Sequence, residues 1–188
     1  MKTESPAPDV VNGIDVAALR RTVAAVMDDP AQGKTRWSVA TRWVGGTRSD
    51  TSVAGYEIGG RRIEKDFTIQ VDEPRELGGT HQFASPQELL LASLNACLTA
   101  GYVVACALEG IEIEALTIDT SGDLDLRGSL GLDAAVKPGF DELVVAVRLK
   151  AAASPMQLER VHDFVCRTSP HRFSVTQPVR LRSRLVTG

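Results

Sequence analysis

The chain has 188 residues and a net charge of −3, from 21 Lys and Arg against 24 Asp and Glu. Its 43% of hydrophobic residues excludes a disordered chain, and its length suits one domain with a core. The weak negative charge argues against nonspecific nucleic-acid binding, which needs clustered positive charge. Three cysteines, Cys97, Cys106 and Cys166, exclude a disulfide framework and fit a reducing compartment. They form no C-x-x-C pair for structural zinc. That leaves either three inert thiols or one special thiol.

Residues Met1 to Pro8 carry no apolar run of secretory type, so a cytoplasmic location is expected, with residues 1 to 13 loose. Asp15 is a good N-cap. Val16, Leu19, Val23 and Val26 follow at helical spacing, and Asp28-Asp29-Pro30 stops the helix. Three strands are expected next: Trp37 to Val44, Thr51 to Ile58 and Ile63 to Val71. The first two end at glycine pairs, and the third alternates so that one apolar face should be buried. A loop over Asp72 to Ala84 leads to a long helix from about Ser85 to Glu109, then a strand from Ile111 to Ser121. Residues 122 to 140 are rich in Gly and Asp. The start of a calcium loop at Asp123 to Gly128 lacks its acidic ligands at Arg127 and Ala134 and reads as a turn. A strand over Leu143 to Leu149, a helix opened by Ser154-Pro155 and running to Thr168, and a closing strand over Val179 to Val186 complete the chain. That last strand would carry Arg180, Arg182 and Arg184 on its solvent face. Strands that cluster around helices, instead of alternating with them, predict an α+β fold. The expected division is a tail and helix over 1–35 and one domain over 36–188.

The central helix holds most of the functional information. Ser85-Pro86-Gln87-Glu88 opens it as N-cap, N-terminal proline and capping-box glutamate. From Leu89 to Leu108 no residue is charged, so the helix should be buried on most sides. A membrane span is disfavoured by the flanking acids Glu88 and Glu109 and by the soluble-type strands on either side. Twenty-five helical residues extend about 37 Å, close to the diameter of a domain with a radius of gyration of about 16 Å. A second copy of the chain is therefore expected to cover this helix in a homodimer. Cys97 sits mid-helix, out of reach of the helix dipole, and Cys106, nine residues on, faces the opposite side. By itself Cys97 reads either as a small hydrophobe or as a thiol activated by a group from elsewhere. No histidine pair has metal-ligand spacing, His171 reads as a surface residue, and no nucleotide or serine-hydrolase motif is present.

The run Ser85-Pro86-Gln87-Glu88-Leu89-Leu90-Leu91-Ala92-Ser93-Leu94-Asn95-Ala96-Cys97 resembles the hallmark helix of the OsmC/Ohr family. Glu73-Pro74-Arg75-Glu76-Leu77-Gly78-Gly79, Gly110-Ile111-Glu112 and Ser169-Pro170 resemble it too, over roughly residues 36 to 186. The resemblance implies an OsmC-like fold, with antiparallel sheets packed on a long central buried helix in an intertwined homodimer. It also implies thiol-dependent reduction of organic hydroperoxides without a cofactor. In that chemistry Cys97 is the peroxidatic thiol, an arginine from the early strands (Arg48, with Arg42 as fallback) assists it, and a glutamate at the helix start helps. The implied partners are a small hydrophobic peroxide and an external thiol reductant, with no nucleic acid and no membrane.

Two departures from the family pattern matter. Gln87 stands where the family has glutamate, and Glu88 beside it is the capping-box residue. Ten helical residues span about 15 Å, so either group would meet a Cys97 only from the partner subunit. Ser169 stands where the family's resolving cysteine precedes proline, and a hydroxyl cannot resolve a sulfenic acid. Cys166, three residues earlier, is the remaining resolver candidate, with a buried structural thiol as its simpler reading. These departures keep a second expectation open: a non-catalytic domain of the same fold that binds a small apolar ligand at the dimer interface. A hydrolase or transferase using Cys97 or Ser169 is a third.

Overall fold

Local sequence signals start each main helix. Asp15 accepts from the Ala18 amide at 2.8 Å and caps α1 (Val16–Asp28). Asp29 ends α1 and opens a 3₁₀ turn over Pro30–Gly33. Ser85 donates from its amide and its hydroxyl to Glu88 Oε2, at 2.7 and 2.9 Å, and accepts from the Glu88 amide at 3.3 Å. That is the capping box of α2 (Pro86–Leu108). Ser154 and Gln157 form the equivalent box for α4 (Pro155–Thr168).

The computed structural model describes residues 9–187. The chain divides between Ala92 and Ser93, inside α2, into two compact units. In the first unit β1 (Val10–Val11) and β2 (Ile14–Asp15) form a small antiparallel ladder before α1. The looseness expected for residues 1 to 13 therefore fails from Val10 on, and its first eight residues lie outside the described residues. A four-stranded antiparallel sheet follows. Its central strand, β5 (Arg48–Ile58), pairs along one edge with β3 (Thr35–Trp37) and β4 (Ala40–Gly45), and along the other with β6 (Arg61–Val71). The single strand expected over Trp37 to Val44 is thus two, interrupted at Ser38 and Val39. The buried face expected for the third strand is absent. Every residue from Arg61 to Gln70 is exposed, because β6 contacts β5 at its edge and, among the described residues, no element of its own unit covers it.

The second unit is built on α2. Leu94, Leu98, Tyr102 and Cys106 recur every four residues and, with Ala105, form one buried stripe. Against it pack Val161 and Val165 of α4, Ile111, and the inward residues of β7 (Ile113–Ser121) and β8 (Val144–Ala151). β7 and β8 pair antiparallel. Their outward positions carry ion pairs, Glu114 with Lys150 and Asp119 with Arg148, so this sheet shows the two-faced alternation expected of a half-buried sheet. Gly101 lets the helices approach closely, since a Cβ there would lie 3.0 Å from Val165 Cγ1. Asn95 ties α2 to β7, donating to the Ile118 carbonyl at 3.2 Å and accepting from the Thr120 hydroxyl at 2.5 Å.

The Gly- and Asp-rich stretch contains one short helix, α3 (Leu126–Ser129), capped by Asp125. Asp125 also pairs with Arg127, which fits the turn reading. The closing strand expected over Val179 to Val186 is not formed. α5 (Pro170–Thr176) comes after α4, and the described residues beyond it have no regular structure. Leu181 and Leu185 are 90% and 89% exposed. Among the described residues this segment pairs with no strand edge, and without a ladder partner the alternating pattern does not become a strand.

Candidate functional site

α4 ends at Thr168, and Ser169 begins the next helix. The Ser169 hydroxyl oxygen accepts from the Arg172 amide at 3.2 Å, capping α5. That bond uses one of the two acceptor sites of the hydroxyl and leaves its O–H and its second acceptor site available. The Sγ of Cys97 lies 3.4 Å away, within hydrogen-bond reach, and either atom can donate. Ser169 is buried and Cys97 half-buried, so this contact sits at the rim of the core. Cys106, on the other side of α2, is fully buried, and burial pushes its thiol pKa up, with Glu109 adding to the shift. It is an inert core thiol.

A second group of polar side chains lies in the same unit. His162 Nε2 is 3.5 Å from Cys166 Sγ, and His162 Nδ1 is 2.5 Å from Tyr102 Oη. Burial, followed by the charges of Cys166 and Cys106, pushes the Tyr102 phenol up to about 12, so Tyr102 stays a neutral phenol. Arg172 Nη1 donates to the Cys166 carbonyl at 3.0 Å. These residues border a cavity of about 290 Å³ with walls of Leu94, Leu98 and Val147 among others. Sequence reasoning assigns no role to Tyr102, His162 or Arg172. The available signal is the four-residue spacing of His162 and Cys166, which puts them on one face of α4.

A family model described as OsmC-like protein matches residues 79–184, more than half of the chain. The chain belongs to the OsmC-like family. Among solved structures, it is similar to an OsmC-like protein from Mycoplasma pneumoniae, with 18% identity and a TM-score of 0.58. That match covers 75% of this chain and 87% of the other. It is also similar to an OsmC-like protein of unknown function from Vibrio cholerae, with 14% identity, a TM-score of 0.56, and 74% and 92% covered. At such identities the likeness shows the fold. No curated protein matches in sequence.

Of the expected site residues, this OsmC-like chain brings two together, Cys97 and Ser169. Cys166 is hydrogen-bonded to His162 instead. Glu88 is engaged in the α2 capping box, and the Ser85 amide and then its hydroxyl hold its carboxylate below the usual range. Gln87 is half-buried at the first turn of α2. Arg48 stacks over Phe83 at 5.2 Å, and its Nε is buried without a hydrogen-bond partner among the described residues.

The loop before α2 is organised by Asp72, which is fully buried. It accepts from the Thr80 hydroxyl and amide at 2.5 and 2.9 Å, from the Thr47 hydroxyl and the Glu73 amide at 2.9 Å each, and from the Gln82 amide at 3.4 Å. The Thr80 hydroxyl foremost, with Thr47 and the backbone amides, holds the Asp72 carboxyl well below the usual carboxylate range, against the opposing effect of burial. Gly79 completes this loop, since a Cβ there would lie 1.7 Å from the Glu73 carbonyl oxygen. The Leu-Gly-Gly part of the family motif thus has a steric cause.

Proposed function

We propose that this OsmC-like protein reduces small organic hydroperoxides at Cys97 with an external thiol as reductant. The observation that carries the reading is the 3.4 Å contact of Cys97 with the Ser169 hydroxyl. In this reading the Cys97 thiolate attacks one peroxide oxygen, the O–O bond breaks, and the departing alkoxide takes a proton from solvent to leave as the alcohol. Cys97 becomes a sulfenic acid. Ser169 has no sulfur with which to resolve it. One external thiol then displaces water to give a mixed disulfide, and a second thiol releases Cys97. Arg48 remains the cation proposed to assist, and a homodimer the proposed assembly. Steady-state consumption of cumene hydroperoxide with dithiothreitol tests the reading. Activity should disappear in C97S and persist in C166S, and persistence in C97S would overturn the proposal.

A second reading is a ligand-binding domain. It is favoured by the apolar cavity of about 290 Å³ in the second unit, at the small end of the range for small-molecule sites.

A further inference from the structure

We infer that Cys166, His162, Tyr102 and Arg172 form a second nucleophilic site, separate from Cys97, which adds to small apolar α,β-unsaturated aldehydes held in the neighbouring cavity. The inference shares the cavity with the ligand-binding reading and supplies chemistry that neither reading above assigns.

The arrangement has the three parts of an activated nucleophile. A thiol lies within hydrogen-bond reach of a base at 3.5 Å, and a third group at 2.5 Å orients that base. In the proposed site His162 holds the tautomer in which Nδ1–H donates to the Tyr102 oxygen and Nε2 accepts the proton of the thiol; the 2.5 and 3.5 Å contacts are compatible with it. Cys166 is half-buried and His162 exposed, so a solute can reach the sulfur. The apolar walls select an alkyl chain. Arg172, tied to the Cys166 carbonyl, places a cation on the cavity wall.

That equipment matches conjugate addition better than acyl transfer, which calls for several donors aimed at one oxyanion. In the addition His162 takes the thiol proton. The Cys166 sulfur bonds to the β-carbon of the enal, and the C=C electron pair moves to an enolate whose oxygen faces Arg172. The proton on His162 then returns to the α-carbon. Nothing leaves, and no oxidant or reductant is consumed.

The test uses the full-length C97S chain, so that peroxide chemistry and Cys166 chemistry fail separately. It is mixed with trans-2-octenal, and adducts are located by peptide mass spectrometry. Cys166 should be modified at least about tenfold faster than N-acetylcysteine, H162Q should remove about tenfold or more of that rate, and Y102F should slow it less. The gain over N-acetylcysteine should be larger for trans-2-octenal than for acrolein, which has no chain to fill the cavity. A Cys166 rate equal to the free thiol, or unchanged in H162Q with its circular dichroism intact, would overturn the inference. Calorimetric binding of 1-octanol reads the cavity alone. If octanol binds while Cys166 gains no rate over the free thiol, the ligand-binding reading stands and this inference fails.

Discussion

The sulfur of Cys97 and the hydroxyl of Ser169 lie 3.4 Å apart across 72 residues of sequence. The same hydroxyl oxygen accepts from the Arg172 amide at 3.2 Å. One serine therefore starts a helix and contacts the thiol of a half-buried cysteine. The contact occupies the place where the family pattern has a resolving cysteine.

Replacing Ser169 with cysteine should restore a two-cysteine pair. In S169C, mild oxidation with diamide should join Cys97 to the introduced thiol in an intramolecular disulfide, seen by non-reducing peptide mapping. The present separation leaves little movement before two sulfurs reach bonding distance. Preferential pairing of the introduced thiol with Cys166 would contradict this geometry.

Removing the hydroxyl should separate its two roles. S169A loses the α5 cap and should be destabilised by about 1 kcal/mol, measured by urea unfolding. If the hydroxyl serves the reacting thiolate as a donor, Cys97 of S169A should react with iodoacetamide several-fold more slowly at fixed pH, and an unchanged rate would show that it does not. S169T, which keeps a hydroxyl, should recover much of both.

Asp72 makes stability sensitive to acid. Its folded-state pKa lies below its unfolded value, so its contribution is present in full above the unfolded pKa near 4. It is lost as pH falls through that value toward the depressed one. D72N should flatten the stability profile below about pH 4 and lower stability at neutral pH, as read by thermal unfolding across pH. An unchanged acid limb in D72N would assign that sensitivity to other carboxylates.

Gly79 cannot carry a side chain without moving the Glu73 carbonyl. G79A should lower the melting temperature measurably, whereas G46A, where an added Cβ meets nothing but φ is +57°, should have a smaller effect of about 1 kcal/mol.

The proposed homodimer has its own check. Trp43 is 73% exposed and Trp37 67%, and Phe67, Ile63 and Ile69 of β6 are also exposed. The proposed homodimer would cover this apolar surface. Sedimentation velocity at micromolar concentration should give a dimer, and a monomer would contradict it.

Much of the fold was legible because its signals are local. Ser85 with Glu88, Ser154 with Gln157, and Asp15 each start a helix through contacts within three residues, so the letters alone suffice. The expected strand over Val179 to Val186 failed for the opposite reason. A strand exists by pairing, and alternation does not say whether a partner edge is present. The site divides the same way. Cys97 and Ser169 were legible through family resemblance, since no spacing rule joins residues 72 apart. Tyr102 and His162, separated by 60 positions, meet because α4 packs against α2, closely at Gly101 and Val165. Nothing in the composition of either helix announces that meeting.

The most direct test of the proposed chemistry is the fate of Cys97 under one equivalent of cumene hydroperoxide, with dimedone present to trap sulfenic acid and peptide mass spectrometry as the readout. The expected result is a dimedone adduct on Cys97, formed ahead of any on Cys166 or Cys106. A Cys97 that stays reduced while a control thiol in the same tube is oxidised would contradict it.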